Sequence, residues 1–231
     1  MKATLAIQEL AIAIAAPDFN PILLTPTFLK GSGIIPPEWE LASSPRLTPQ
    51  MAQVSFTNGI NLIAQAGTMT FLQSIPPDGD LSNITIPQLA TKYINVLPQL
   101  DYSAIAINPR SFLTFPDEPE EGARNYINHL FAPAPWLDAA DEPMKASLNF
   151  TTTLDQHKFN LTINEVKLQR NEEAPQMAVL FSGNFPYPLE GDSSGEKHEK
   201  LHQCIGQWMP SLERYRQLVE QFTALGIGNG E

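Results

Sequence analysis

From Leu5 the apolar side chains alternate with polar or small ones through Ile7, Leu10, Ile12 and Ile14, and the phase slips once near Gln8-Glu9. A two-residue period turns one face of an extended chain toward a core, so this stretch predicts a long first strand, bulged at the slip. Residues 17–50 break the pattern. They hold seven prolines and widely spaced anchors at Phe28, Leu29, Ile34, Ile35 and Trp39, which reads as a long crossover. Alternation returns in three short runs at 52–56, 60–65 and 69–75, divided by Asn58-Gly59 and Ala66-Gly67. Asn-Gly between apolar runs signals a tight hairpin because both residues tolerate positive φ, so a three-stranded meander is expected. The period then changes to three and four at Leu89, Tyr93, Ile94 and Leu97, with Pro87 near the first turn and Pro98 at the end. One helix is expected there.

The second half repeats this order. A strand is expected over 102–107 and a crossover over 108–143, the latter with its own helix near 120–131. Strands near 144–154, 157–170 and 176–187 follow, and then a helical C-terminal region. Asn20-Pro21 follows the first strand as Asn108-Pro109 follows the fifth. Pro36-Pro37-Glu38-Trp39 and Pro133-Ala134-Pro135-Trp136 sit late in the two crossovers. The reading is a duplicated α+β layout of antiparallel sheets with helices on one face. Its first unit is 1–98 and its second 99–231, within one compact domain. In the last segment Leu201, Cys204, Ile205, Trp208, Met209, Leu212, Tyr215, Leu218, Val219 and Phe222 form one apolar helical stripe that Pro210 interrupts. A kink or a fresh helix start is expected there, with Ser211 supplying a cap.

Composition narrows the function classes. A 231-residue chain that is 42% hydrophobic can bury a substantial core. A formal charge of -11 gives it no basic field for nucleic acid or anionic membrane. Cys204 is the single cysteine, which excludes an internal disulfide and a Cys-built zinc site and fits a reducing, cytoplasmic setting. Gln8 and Glu9 interrupt the apolar start and favour a mature strand over a signal peptide. No stretch offers about 18 uninterrupted apolar residues, so no membrane span is expected.

His198-Glu199-Lys200-Leu201-His202 fits the pattern in which two histidines one helical turn apart hold zinc and the glutamate activates water. A zinc-dependent hydrolase is therefore an alternative reading. Lys197, Glu199 and Lys200 crowd the motif, however, and a third ligand has no local source. Ile205 and Trp208 occupy the positions where the extended metzincin pattern needs Gly and His. Glu213 and Glu220 are the remaining downstream carboxylates, and Glu220 lies roughly 27 Å along a straight helix from His202. His129 and His157 lack ligand spacing. No metal ligand or cofactor is assigned, and the motif is read first as an exposed, charged helical turn.

Gly191-Asp192-Ser193-Ser194-Gly195 matches the letters of a hydrolase nucleophile elbow but lacks the strand-to-helix turn, and it reads as a polar loop. Asp117-Glu118-Pro119-Glu120-Glu121 reads as acidic residues at a helix start rather than a cation site. Gly31-Ser32-Gly33 is too short for a phosphate loop. No catalytic residue is assigned. Trp39 and Trp136, each beside prolines, are candidates to line a partner-binding groove or, alternatively, to form a lid over the sheet.

Four stretches together resemble the protein-export chaperone SecB. They are the long strand at 4–16, the acidic Pro/Trp element at 36–41, the strand at 177–187, and the run from His202-Gln203-Cys204 through Met209-Pro210 to Val219. The resemblance implies a sheet-and-helix layer with apolar grooves that hold extended polypeptides. Trp39 and Trp136 would be groove residues. The chain is longer than one SecB-like unit, and a duplicated chain would make internally the pairing that SecB makes between subunits. The leading expectation is a non-enzymatic, chaperone-like protein-binding module that uses apolar grooves and strand edges, with homo-oligomers allowed. A small-ligand carrier is a further alternative.

Overall fold

The computed structural model describes residues 3–75, 80–118, 120–132, 144–169, 175–191 and 193–227. The chain is α+β, with a large antiparallel sheet and five α-helices among the described residues. Strand β1 (Thr4–Ala15) is followed by a crossover containing α1 (Pro26–Gly31) and the short β2 (Arg46–Leu47). The meander β3 (Met51–Ser55), β4 (Ile60–Gln65), β5 (Thr68–Ser74) and helix α2 (Ile86–Val96) close the first half. The order then recurs: β6 (Ala104–Thr114), a crossover with α3 (Gly122–His129), β7 (Ser147–Leu154), β8 (His157–Leu168), β9 (Gln176–Pro188), and helices α4 (Ser194–Gly206) and α5 (Trp208–Ile227). The hydrogen-bonded order is β2-β3-β4-β5-β1-β6-β9-β8-β7, so in each half the last meander strand returns to lie beside the first strand.

Two compact units emerge, and each gathers several stretches of chain. One comprises Glu9–Asn108 and Phe185–Ser211. In it β1 pairs antiparallel with β5 in an unbroken register from Glu9↔Ser74 to Ala15↔Thr68, so no bulge interrupts that pairing from Glu9 onward. Leu10, Ile12 and Ile14 are buried at alternate positions, as a sheet face against a core requires. Helix α2 covers this core with Leu89, Ala90, Tyr93 and Ile94, and the Tyr93 ring meets Phe71 of β5 edge-on at 5.5 Å and Phe19 at 5.9 Å. Burial pushes the Tyr93 hydroxyl well above the usual phenol range, and the neighbouring Tyr102 and Asp18 push it the same way. Ser103, just before β6, donates to the Ala15 carbonyl at 2.9 Å and accepts from the Leu189 N–H at 3.0 Å. Its backbone is thereby satisfied on both sides.

The turn after β3 departs from expectation. Only Gly59 takes a positive φ, of 80°, while the Asn58 side chain accepts from the Ile60 N–H at 3.3 Å. Asn58 thus acts through its side chain rather than through a left-handed backbone. The helix break near Pro210 is displaced as well. Helix α4 ends at Gly206, Gln207 forms the turn, and α5 begins at Trp208, so Pro210 sits in the first turn of α5, where its missing N–H costs nothing. Ser211 is not a cap. Its N–H donates to the Gln207 carbonyl at 2.9 Å, and its buried hydroxyl shares a 2.9 Å hydrogen bond with Tyr187.

The other unit comprises Met1–Gln8, Pro109–Asn184 and Leu212–Glu231. Asn108-Pro109, read as the start of a crossover, lies inside β6, which continues to Thr114 with alternate residues buried. Strands β7, β8 and β9 form an antiparallel meander in continuous register. Its inner face is aromatic. Phe181 meets Tyr126 of α3 at 6.3 Å and Phe222 of α5 at 6.2 Å, and Tyr126 donates to the Phe222 carbonyl at 2.9 Å. The outer face is a polar ladder in which Thr162 bonds Asn149 at 2.9 Å, Thr151 bonds Asn160 at 2.9 Å, and Asn160 bonds Asn184 at 3.1 Å. A ladder of this kind pins the register, because a one-residue slip would turn amides toward Phe159 and Leu161 in the core. The β7–β8 turn is Asp155-Gln156, with φ of 46° and 69°. Two positive values meet the type I′ requirement without a glycine.

Candidate functional site

Helix α4 opens with Ser193 as its cap, its hydroxyl accepting from the Glu196 N–H at 3.3 Å. The serine of the elbow-like motif is therefore tied to a helix start; Asp192 of that motif lies outside the described residues. Glu196, Glu199 and Lys200 are exposed. His198 and His202 are half-buried and face the same way, as a spacing of four residues on a helix dictates. Their Nε2 atoms lie 3.3 Å apart, and the rings meet edge-on with centroids at 4.9 Å.

Helix α2, which packs against α4, brings in the third member. The Asn95 Oδ1 is 3.2 Å from His198 Nε2 and 3.0 Å from His202 Nε2. His198 Nδ1 is buried without a hydrogen-bond partner. Burial, and then the neighbouring His202, hold the His198 imidazole below its ordinary range, so its neutral form is favoured. A cleft of about 430 Å³ adjoins this trio, lined by Pro87, Gln88, Thr91, Lys92, His202, Ile205, Gly206 and Trp208. Lys197 ties the start of α4 to the same unit through a 2.8 Å ion pair with Asp101, and Lys200 bonds the Glu190 carbonyl.

The carboxylates considered downstream take other positions. Glu213 is exposed on α5, and Glu220 accepts from Arg216 at 3.3 Å. His129 Nδ1 contacts the Asn125 carbonyl at 2.7 Å. Among the described residues no group of three His, Cys, Asp or Glu side chains is placed to hold a metal ion. The trio escapes that description because its third member is an amide. Nothing local marked Asn95: it lies 103 residues before His198, and only the packing of α2 on α4 joins them. Cys204, on the same helix, is half-buried, and burial raises its thiol above the ordinary range.

Trp39 is half-buried and packs edge-on against Phe56 with centroids 5.2 Å apart. It lines a second cleft of about 340 Å³ with Ile60, Ile75 and Ile84 as apolar walls and Asn58, Gln73, Asp80 and Thr85 as polar ones. Gln73 braces the floor, accepting from the Thr85 N–H at 2.8 Å and donating to the Asn83 carbonyl at 3.1 Å. Trp136 lies outside the described residues.

The third feature is the edge strand β7, which closes the strand order and has β8 as its hydrogen-bonded neighbour. Its eight residues, Ser-Leu-Asn-Phe-Thr-Thr-Thr-Leu, contain no charge and no proline. Leu148, Phe150 and Thr152 pair with Ile163, Leu161 and Phe159, so they share the core-facing side, yet Phe150 is 40% exposed beside Phe222 at 5.5 Å. No helix among the described residues is long and apolar enough to cross a membrane. Comparison with protein-family models found no match, and neither did a search of curated proteins, so the reading of these three features rests on their own geometry.

Proposed function

We propose that this chain is a non-enzymatic polypeptide-binding module, chaperone-like in action, that takes an extended segment at the edge of β7, which has β8 as its one strand neighbour among the described residues. One observation supports this most: an eight-residue uncharged edge strand whose core-facing side leaves Phe150 exposed beside Phe222. Edge strands in soluble proteins are ordinarily guarded by lysine, proline, bulges or short length. β7 carries none of these. A strand added alongside would satisfy the outward backbone groups of β7 and place an apolar side chain next to Phe150 and Phe222. In the other unit the Trp39 cleft presents a separate apolar surface, with Ile60, Ile75 and Ile84 among its walls. Holding an extended polypeptide is the behaviour that the resemblance to SecB implies.

The test is suppression of aggregation of an unfolded, uncharged client, measured by light scattering, in the native protein and in Thr152→Lys. Thr152 is exposed and shares the core-facing side with Phe150, so a lysine there is an inward-pointing charge of the kind that guards edge strands. Activity in the native protein that is lost in Thr152→Lys supports the reading. Equal activity in both removes the edge from it, and inactivity of the native protein ends it.

A further inference from the structure

We propose that His198, His202 and Asn95 form a binding site for one divalent transition-metal ion, Zn2+ in the first instance, clamped between α2 and α4. The three donor atoms stand 3.3, 3.2 and 3.0 Å from one another. Ligands about 2.0–2.1 Å from a tetrahedral zinc ion stand roughly 3.3 Å apart. The edges of the triangle therefore match those of one face of a zinc tetrahedron to within about 0.3 Å.

Proton counting points the same way. The Asn95 oxygen only accepts, and a neutral imidazole carries one N–H. If both Nε2 atoms donate to Asn95, the 3.3 Å Nε2···Nε2 approach sets two donors against each other. If one Nε2 accepts from the other, its contact with the amide oxygen has no proton. One edge of the triangle is uncompensated in either arrangement, whereas a cation satisfies all three lone pairs at once. Two imidazoles and an amide oxygen suit a borderline ion such as zinc, nickel or copper and disfavour magnesium and calcium. The fourth position belongs to water or to a ligand in the adjoining cleft, whose wall includes His202.

The test is titration of tag-free protein with Zn2+ by calorimetry and with Co2+ by its visible bands, far-UV circular dichroism confirming the fold of every variant. One ion per chain is expected. His198→Ala and His202→Ala should each weaken binding by at least ~10-fold. Asn95→Leu should weaken it, and Asn95→Asp should tighten it, because a carboxylate adds charge to the same position. His157→Ala should leave it unchanged. Absence of zinc binding by the native protein would overturn the proposal. So would affinity indifferent to Asn95→Leu and Asn95→Asp, since that is the behaviour of two histidines on one helix acting alone. None of these readouts involves polypeptide binding at β7, so the two proposals stand or fall separately.

Discussion

Tyr215 lies flat across Gly183: a Cβ built on that glycine would fall 2.6 Å from the tyrosine Cδ2. The tyrosine hydroxyl donates to the Phe181 carbonyl at 2.8 Å on the same strand, which locks the ring over the gap that the missing side chain leaves. Gly183 has no positive φ, so its presence in the middle of β9 answers to space rather than to backbone freedom. Gly183→Ala should cost about 1–3 kcal/mol through overpacking, read by urea denaturation. A variant as stable as the native protein would show that α5 shifts freely over β9.

Glu165 is buried in β8, its side chain 2% exposed, and Arg124 of α3 grips it through Nε at 3.3 Å and Nη2 at 3.2 Å. Removing the arginine leaves a carboxylate in the interior. Arg124→Ala should therefore destabilise by about 2–4 kcal/mol, somewhat less than for a fully buried pair because Arg124 is 35% exposed. Replacing both partners, Arg124→Met with Glu165→Leu, should recover most of that loss. Additivity of the two single changes in a double-mutant cycle would refute the pairing.

The Asp155-Gln156 turn uses left-handed backbone at two residues that carry a Cβ, and Arg214 holds it by a 2.8 Å bond from Nη2 to the Asp155 carboxylate. Gln156→Gly should stabilise the protein by about 0.5–1 kcal/mol, because glycine adopts this φ without steric cost. Thermal unfolding monitored by circular dichroism checks the sign.

Thr152→Lys, which is expected to abolish client binding, should change stability by no more than about 0.5 kcal/mol, since it alters an exposed edge position. A larger loss of stability would mean that the edge is covered in solution, for instance by a second copy of the chain.

Cys204 is half-buried, and burial raises its thiol. Because the thiolate is the reactive form, alkylation by iodoacetamide should be slower at neutral pH than for free cysteine and should rise as pH climbs through the elevated range. Rapid labelling at neutral pH in the folded protein would contradict this environment.

Local pattern carried much of the fold. The three-four spacing of Leu89, Tyr93 and Ile94 marked α2, the alternating runs marked β7 to β9, and the matched order of the two halves followed from counting those runs. These features are legible because helix and strand periods are written in consecutive residues. The misplaced boundaries have a local cause as well: Pro109 and Pro210 were read as breakers, but one sits within β6 and the other in the first turn of α5. The candidate sites divide in the same way. The His198 and His202 pair was visible as a motif, whereas Asn95 was not, because the nearer imidazole is 103 residues away in sequence. Likewise the composition of β7 was readable, but its place at the end of the sheet and the exposure of Phe150 follow from which strands pair. Periodicity states which way each side chain turns along its own element. Which elements meet is decided by the packing of the whole chain, and the chemistry of both proposed sites lies in those meetings.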